Sequence, residues 1–146
     1  MKILVAVDLS ESTTKTVEMA KQLAATLPAT LWLLHAAEPE PYFVGYDVGP
    51  QSVRDTLPKK FHEEHRQIQE IAERMRGNGI DATALLIQGP TVETILQEAS
   101  RLGVDMIVIG SHGRSAIYHL LMGSVTEGVL HATKFPILVV PTHKRK

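Results

Sequence analysis

The spacing of apolar residues along the chain switches repeatedly between two periods. Ile3–Val7 is an unbroken apolar run, the pattern of a short strand buried on both faces. Asp8-Leu9-Ser10-Glu11-Ser12 then carries capping residues. Val17, Ala20, Leu23, Ala24 and Leu27 follow at helical spacing until Pro28 stops the helix. Leu31–Ala37 is a second strand-like run. Phe61, His65, Ile68, Ala72 and Met75 mark a second helix, with His65 as a packing residue on its apolar stripe and Gly77-Asn78-Gly79 as its stop. Ile80–Ile87 predicts a third strand. Thr91–Leu102 predicts a third helix, ended by Gly103, and Val104–Ile109 a fourth strand. A fourth helix is predicted over about Gly123–Ala132 and a fifth strand over Ile137–Val140. The resulting order, β-α-β-α-β-α-β-α-β, predicts an α/β domain with a mostly parallel sheet, because each strand needs a crossover helix to reach its parallel neighbour.

One stretch resists either period. Glu38 to about Pro58 holds Pro39, Pro41, Pro50 and Pro58 together with Gly45 and Gly49, and predicts a long loop. Its aromatic residues Tyr42, Phe43 and Tyr46 either pin the loop to the surface or cover a ligand.

Composition narrows the class. At 146 residues the chain fits one domain, residues 1–146, long enough to bury a self-standing core. The absence of cysteine excludes a disulfide scaffold, a thiolate zinc site and a cysteine nucleophile. Fifteen Lys and Arg against 16 Asp and Glu give a net charge of -1, which argues against a protein built to coat nucleic acid. The small basic tail His143-Lys144-Arg145-Lys146 reads as a solvated end. No apolar run reaches the ~18 residues of a membrane span, and the opening lacks the features of a signal peptide. A soluble, cytoplasmic protein with no membrane insertion is expected.

The segment after the fourth strand carries the chemistry. Gly110-Ser111-His112-Gly113-Arg114-Ser115 leads through Ala116–Met122 to Gly123-Ser124-Val125-Thr126 at the start of a helix. Glycines let a backbone approach phosphate closely, and a helix N-terminus offers free N–H groups with partial positive charge. A mere helix cap at Gly123-Ser124 leaves Gly110 and Gly113 unexplained. The loop is not a Walker A motif, since Arg114 and not Lys-Ser/Thr follows Gly113. It is not a dinucleotide fingerprint either, since Asp8 and Leu9 follow the first strand. His112 and His119 are open to packing, phosphate contact or proton donation, and Arg114 to a phosphate or solvent.

The spacing Gly110-x2-Gly113-x9-Gly123-Ser124 resembles the nucleotide loop of the ATP-binding universal stress proteins. The similarity extends along the chain. Lys2–Ser10 resembles the family's opening strand, Leu33-Leu34-His35-Ala36 its second, and Gln88-Gly89-Pro90 the turn after its third. Ile107–Gly113 and Pro136–Pro141 resemble the fourth and fifth. The resemblance implies an open, Rossmann-like five-stranded parallel sheet in the order 3-2-1-4-5, with helices on both faces. It implies an adenine nucleotide (ATP, ADP or AMP) across the tops of strands one and four. Ala6, Val7 and Ala36 would line the base, bordered by the Gln88-Gly89-Pro90 backbone. Asp8 would accept hydrogen bonds from the ribose, with Ile109 and Gly110 beside it. Gly113, Gly123, Ser124, Val125 and Thr126 would bind phosphates, with Arg114 as a further candidate, and Mg²⁺ or Mn²⁺ would travel with the nucleotide. Positions 6 and 36 depart from the family in being alanine, smaller than the residues often found there. Asp8 also has a structural reading, as a cap of the first helix in competition with Ser10.

Three functions compete: a nucleotide-binding regulatory protein in stress, a slow ATPase or phosphate- or adenylate-transferring enzyme, and a dimeric interaction module without nucleotide. Fast hydrolysis requires a metal, an oriented water and charge stabilisation. No Walker lysine or acidic pair stands near the loop, so weak turnover at most is expected, with no catalytic residue and no protein-held metal. The intact glycine loop opposes the third function. In the implied strand order the fifth strand lies at an edge. Ile137, Leu138, Val139 and Val140 carry no charge to blunt it, so a homodimer through this strand is expected, with an unidentified protein partner reading the nucleotide state.

Overall fold

The computed structural model describes residues 1–38, 51–112 and 122–142, with the backbone alone over 51–58. Five strands, β1 (Lys2–Ala6), β2 (Thr30–Ala37), β3 (Asp81–Gln88), β4 (Met106–Gly110) and β5 (Ile137–Val140), form one sheet in the order β3-β2-β1-β4-β5. Every pairing is parallel. The crossovers are α1 (Ser12–Thr26), α2 (Gln51–Gly77), α3 (Thr91–Leu102) and α4 (Ser124–Ala132).

Strand alternation divides the core in two. Ile3, Val5 and Val7 pack with Leu31, Leu33 and Val108 against Ala20 of α1 and Ile68, Ala72 and Met75 of α2. Leu4 and Ala6 face the other way, joining Leu34, Ile107 and Ile109 against Ile95 and Ala99 of α3 and Val129 of α4. A strand buried on both faces therefore shows no polar alternation, which is why β1 and β4 are continuous apolar runs. The helix stops behave as their residues dictate. Gly103 closes α3 at φ 65°, and Gly79 follows α2 at φ 81°, both in the left-handed region that glycine enters without a Cβ penalty.

The structure departs from two expectations of the sequence. The region from Glu38 to Pro58 is not loop throughout, because α2 begins at Gln51 and runs through Pro58. A proline inside a helix removes one intrahelical N–H and crowds the carbonyl four residues back, yet the backbone stays helical through position 58, so it marked a boundary that does not exist. The apolar stripe of α2 is also turned by one position. His65 is exposed and Phe61 is 38% exposed, while Glu64 points inward in line with Ile68 and Ile71. The inward position is polar because it meets a polar partner on β2, described below. Tyr42, Phe43, Tyr46 and the tail 143–146 lie outside the described residues.

Candidate functional site

From the central β1 the chain builds outward on one side to β2 and β3, and the crossover from β3 then carries it back past β1 to β4 and β5 on the other side. The strand order therefore reverses at β1 and β4, and a crevice opens beyond their carboxyl ends. A cavity of about 410 Å³ occupies this place. That is within the roughly 300–1,000 Å³ of small-molecule sites. Its walls come from the ends of β1, β2 and β4, the first turns of α1, α3 and α4, and one face of α2.

Ten of the binding residues the resemblance implied line this one cavity, Ala6, Val7, Asp8, Ala36, Ile109, Gly110, Gly123, Ser124, Val125 and Thr126, and so does His112. Gln88, Gly89 and Pro90 stand behind the wall, which at that point is formed by Thr91. Gly89 N–H donates to the Ala37 carbonyl at 3.1 Å, tying the ends of β2 and β3 together. A Cβ on Gly89 would lie 2.7 Å from Thr94 Oγ1, so the turn has no room for a side chain. Gly113, Arg114 and His119 lie outside the described residues.

Asp8 sits where β1 leaves the sheet. The next residue, Leu9, adopts φ 62°, a left-handed conformation uncommon outside glycine, and its side chain packs on the α1/α2 core. This sharp turn brings the chain back over Asp8. Asp8 Oδ1 accepts from Ser10 N at 3.0 Å, Ser10 Oγ at 2.5 Å, Ser12 Oγ at 3.3 Å and Thr13 Oγ1 at 3.5 Å. Ser10 Oγ in turn accepts from Ser12 N at 3.3 Å, at the start of α1. The carboxylate thus organises the entry to α1 while facing the cavity, and neither Asp8 nor Ser10 is the N-cap, which is Glu11 with no side-chain cap bond.

The opposite end of the cavity is the N-terminus of α4. Its N-cap is Gly123, and no side chain among the described residues caps it. The first N–H groups of any helix lack intrahelical acceptors, so Ser124, Val125 and Thr126 present backbone donors and the positive end of the helix dipole toward the cavity. Two donors named from the sequence are already spent. Thr126 Oγ1 donates to the Gly110 carbonyl at 2.6 Å, and Gly123 N–H donates to the Ser111 carbonyl at 2.7 Å. Both bonds fasten α4 to the end of β4.

A polar wall escaped the sequence reading. His35, Glu38, Lys60 and Glu64 line the cavity on the β2/α2 side. His35 is 7% exposed, its Nδ1 lies 3.1 Å from the Val7 carbonyl and its Nε2 lies 2.5 Å from Glu64 Oε2. Glu38 Oε1 accepts from Thr91 N at 2.9 Å and Thr91 Oγ1 at 3.0 Å, capping α3 from the end of β2. His112, 4% exposed, completes the floor beside Gly110. On the exposed face of α2, the hydrogen bond from Arg66 holds the Glu63 carboxyl below its usual range. No group of three His, Asp or Glu arranged to hold a metal occurs among the described residues. Nor is any helix among them long and apolar enough to cross a membrane.

Comparison with known proteins gives a consistent result. The model of the universal stress protein family matches residues 1–141. Universal stress protein A homolog 2 of Coxiella burnetii is 38% identical over 143 residues, covering 95% of this chain and 93% of the relative. Among solved structures, that of MJ0577, a protein of Methanocaldococcus jannaschii, superposes with a TM-score of 0.85 at 28% identity, covering 99% of this chain and 97% of that one. A universal stress protein in complex with cAMP shares the fold, with a TM-score of 0.72 at 24% identity and 98% of each chain covered.

Proposed function

The chain belongs to the universal stress protein family, and on that premise we propose that it is a regulatory protein whose cavity holds an adenine nucleotide. The observation that carries this is one cavity with two chemically distinct ends. A helix N-terminus without a side-chain cap among the described residues lies at one end, and toward the other Ala6, Ala36 and Ile95 form an apolar patch bordered by the polar wall of His35, Glu38, Lys60 and Glu64. A nucleotide has the matching polarity, with an anion at one end and a flat, weakly polar base at the other. Asp8 stands between them as an acceptor for ribose hydroxyls. The phosphates meet the backbone donors of Ser124, Val125 and Thr126, with the Gly113-Arg114 segment as the remaining part of the loop. A universal stress protein of the same fold has been solved in complex with cAMP, which supports the reading.

ATP, ADP and AMP all satisfy these contacts, and longer phosphate chains engage α4 more fully. The described residues supply no metal cluster of their own, so Mg²⁺ or Mn²⁺ would be held chiefly by the phosphates. The protein acts in this account as a cytoplasmic binding module with little turnover. Assembly belongs to the same proposal. Among the described residues β5 pairs only with β4, leaving its outer edge to meet a second copy. Calorimetric titration with ATP tests the assignment. Saturable binding of ATP with far weaker binding of GTP supports it. Absence of binding by ATP, ADP and AMP alike overturns it.

A further inference from the structure

Ser111 gathers an unusual number of bonds for a residue beyond the end of a strand. Its N–H donates to the Val140 carbonyl at 2.7 Å, and its carbonyl accepts from Gly123 N–H at 2.7 Å. Its hydroxyl accepts from Thr142 N at 3.0 Å and lies 3.0 Å from His112 Nδ1. Thr142 answers from the other side. Its Oγ1 accepts from His112 N at 3.0 Å and donates to the His112 carbonyl at 2.9 Å. The two residues therefore clasp each other across 31 positions of sequence.

The clasp is seated on a position where a side chain would have to displace its neighbours. A Cβ on Gly110 would lie 2.9 Å from Thr142 Cγ2 and 3.0 Å from Thr16 Oγ1. The Thr142 methyl thus occupies the space above Gly110 while its hydroxyl holds the next two residues. From there the connection to α4 is direct. Gly123 N–H bonds the Ser111 carbonyl and Thr126 Oγ1 bonds the Gly110 carbonyl, so residues 110–112 are the anchor of the helix N-terminus that faces the cavity.

We propose that Thr142, beyond the last strand and outside the cavity lining, is a positioning residue for phosphate recognition. It fixes Ser111 and His112, which fix Gly123 and with it the direction in which the first N–H groups of α4 point. Backbone donors serve a phosphate only when held in place, since a donor that must be ordered on binding loses affinity to that ordering. This inference rests on the proposed nucleotide site. It adds that the segment after β5, the strand at the sheet edge, is physically part of the phosphate end. By linkage, phosphate binding must tighten the clasp as much as the clasp favours phosphate.

The test compares ATP with adenosine, which lacks phosphates, on the full chain. Thr142→Val keeps the methyl over Gly110 and removes the hydroxyl, while Thr142→Ser keeps the hydroxyl. Thr142→Val is expected to weaken ATP about five- to tenfold, the worth of one to two ordinary hydrogen bonds, and to leave adenosine binding unchanged. Thr142→Ser is expected to bind ATP as the wild type does. Ser111→Ala, which removes the other half of the clasp, should repeat the Thr142→Val result and serves if that variant does not fold. Unchanged ATP affinity in Thr142→Val and Ser111→Ala overturns the inference. So does an equal loss for ATP and adenosine, which would make the clasp a general packing element, and so does a Thr142→Ser variant as weak as Thr142→Val. A wild-type protein that binds neither ligand instead overturns the nucleotide site itself, and this inference with it.

Discussion

His35 Nε2 and Glu64 Oε2 lie 2.5 Å apart at the wall of the cavity, and a proton must lie between them. The other ring nitrogen, Nδ1, faces the Val7 carbonyl, which only accepts, so Nδ1 carries its own hydrogen. Imidazole and carboxyl are both almost withdrawn from solvent, with side-chain exposures of 9% and 13%. The pair joins α2 to β2 through a polar contact inside an otherwise apolar face, and it braces the Val7 carbonyl next to Asp8.

Removing one partner should cost more than altering it. Glu64→Ala leaves a buried imidazole nitrogen unpaired, at a cost of about 1–3 kcal/mol. Glu64→Gln keeps a hydrogen-bonding group in place and should lose clearly less. Urea unfolding of the three proteins checks this order. A Glu64→Ala protein as stable as the wild type would show that the pair contributes nothing to holding α2.

Gly110→Ala tests the tight seat of Thr142. The added methyl meets Thr142 Cγ2 at 2.9 Å and Thr16 Oγ1 at 3.0 Å, and overpacking of this kind costs about 1–3 kcal/mol. Adding Thr142→Ser removes the nearer obstacle, so the double variant should recover part of the lost melting temperature. Additive losses in the double variant would contradict the steric account.

Asp8 has two tasks, which different substitutions separate. Asp8→Ala removes the acceptor for the Ser10, Ser12 and Thr13 donors, and should reduce stability as well as affinity. Asp8→Asn keeps an acceptor oxygen for the turn but removes the charge offered to the ribose. Charge-assisted bonds are worth roughly 1.5–3 kcal/mol, so ATP affinity in Asp8→Asn should fall about tenfold or more. Deoxy-ATP should lose less than ATP, and equal losses for the two sugars would remove Asp8 from the ribose site.

The edge of β5 supplies the prediction on assembly. Ile137, Leu138 and Val139 are half-buried and uncharged at the outermost strand. Sedimentation at micromolar concentration should give a dimer, and Val139→Lys should shift it to monomer by placing charge in the seam. A dimer indifferent to Val139→Lys would put the contact elsewhere.

The sequence was most legible where one physical demand acted alone. Strands buried on both faces must be apolar throughout, so β1 and β4 stood out within a residue or two of their bounds, and the uncharged edge strand β5 did so as well. Glycine and proline stops placed the ends of α1 and α3 for the same reason. Reading failed where two demands met. Pro58 signalled a break, but the backbone of α2 passes through it from Gln51. Glu64 occupies an inward position that apolar periodicity assigns to the core, so the stripe was placed through His65, which is exposed. The partner signal was present in β2, where His35 alternates with Leu31 and Leu33 on the face that α2 covers. A histidine in that register needs a polar partner from the covering helix, and Glu64 stands four residues before the buried Ile68. Nothing local announced the tie between Ser111 and Thr142, which only the pairing of β4 with β5 brings together.

The central claim is that one cavity receives an adenine nucleotide with its phosphates at α4 and its base beside β2. Amide chemical shifts followed by NMR during titration with ATP test it most directly, because they report binding and location together. The account predicts saturating shifts at Ser124, Val125 and Thr126 and at Ala36 and Ala37, with adenosine reproducing the β2 shifts but not those of α4. ATP that moves neither group, or that shifts only residues remote from the cavity, would contradict it.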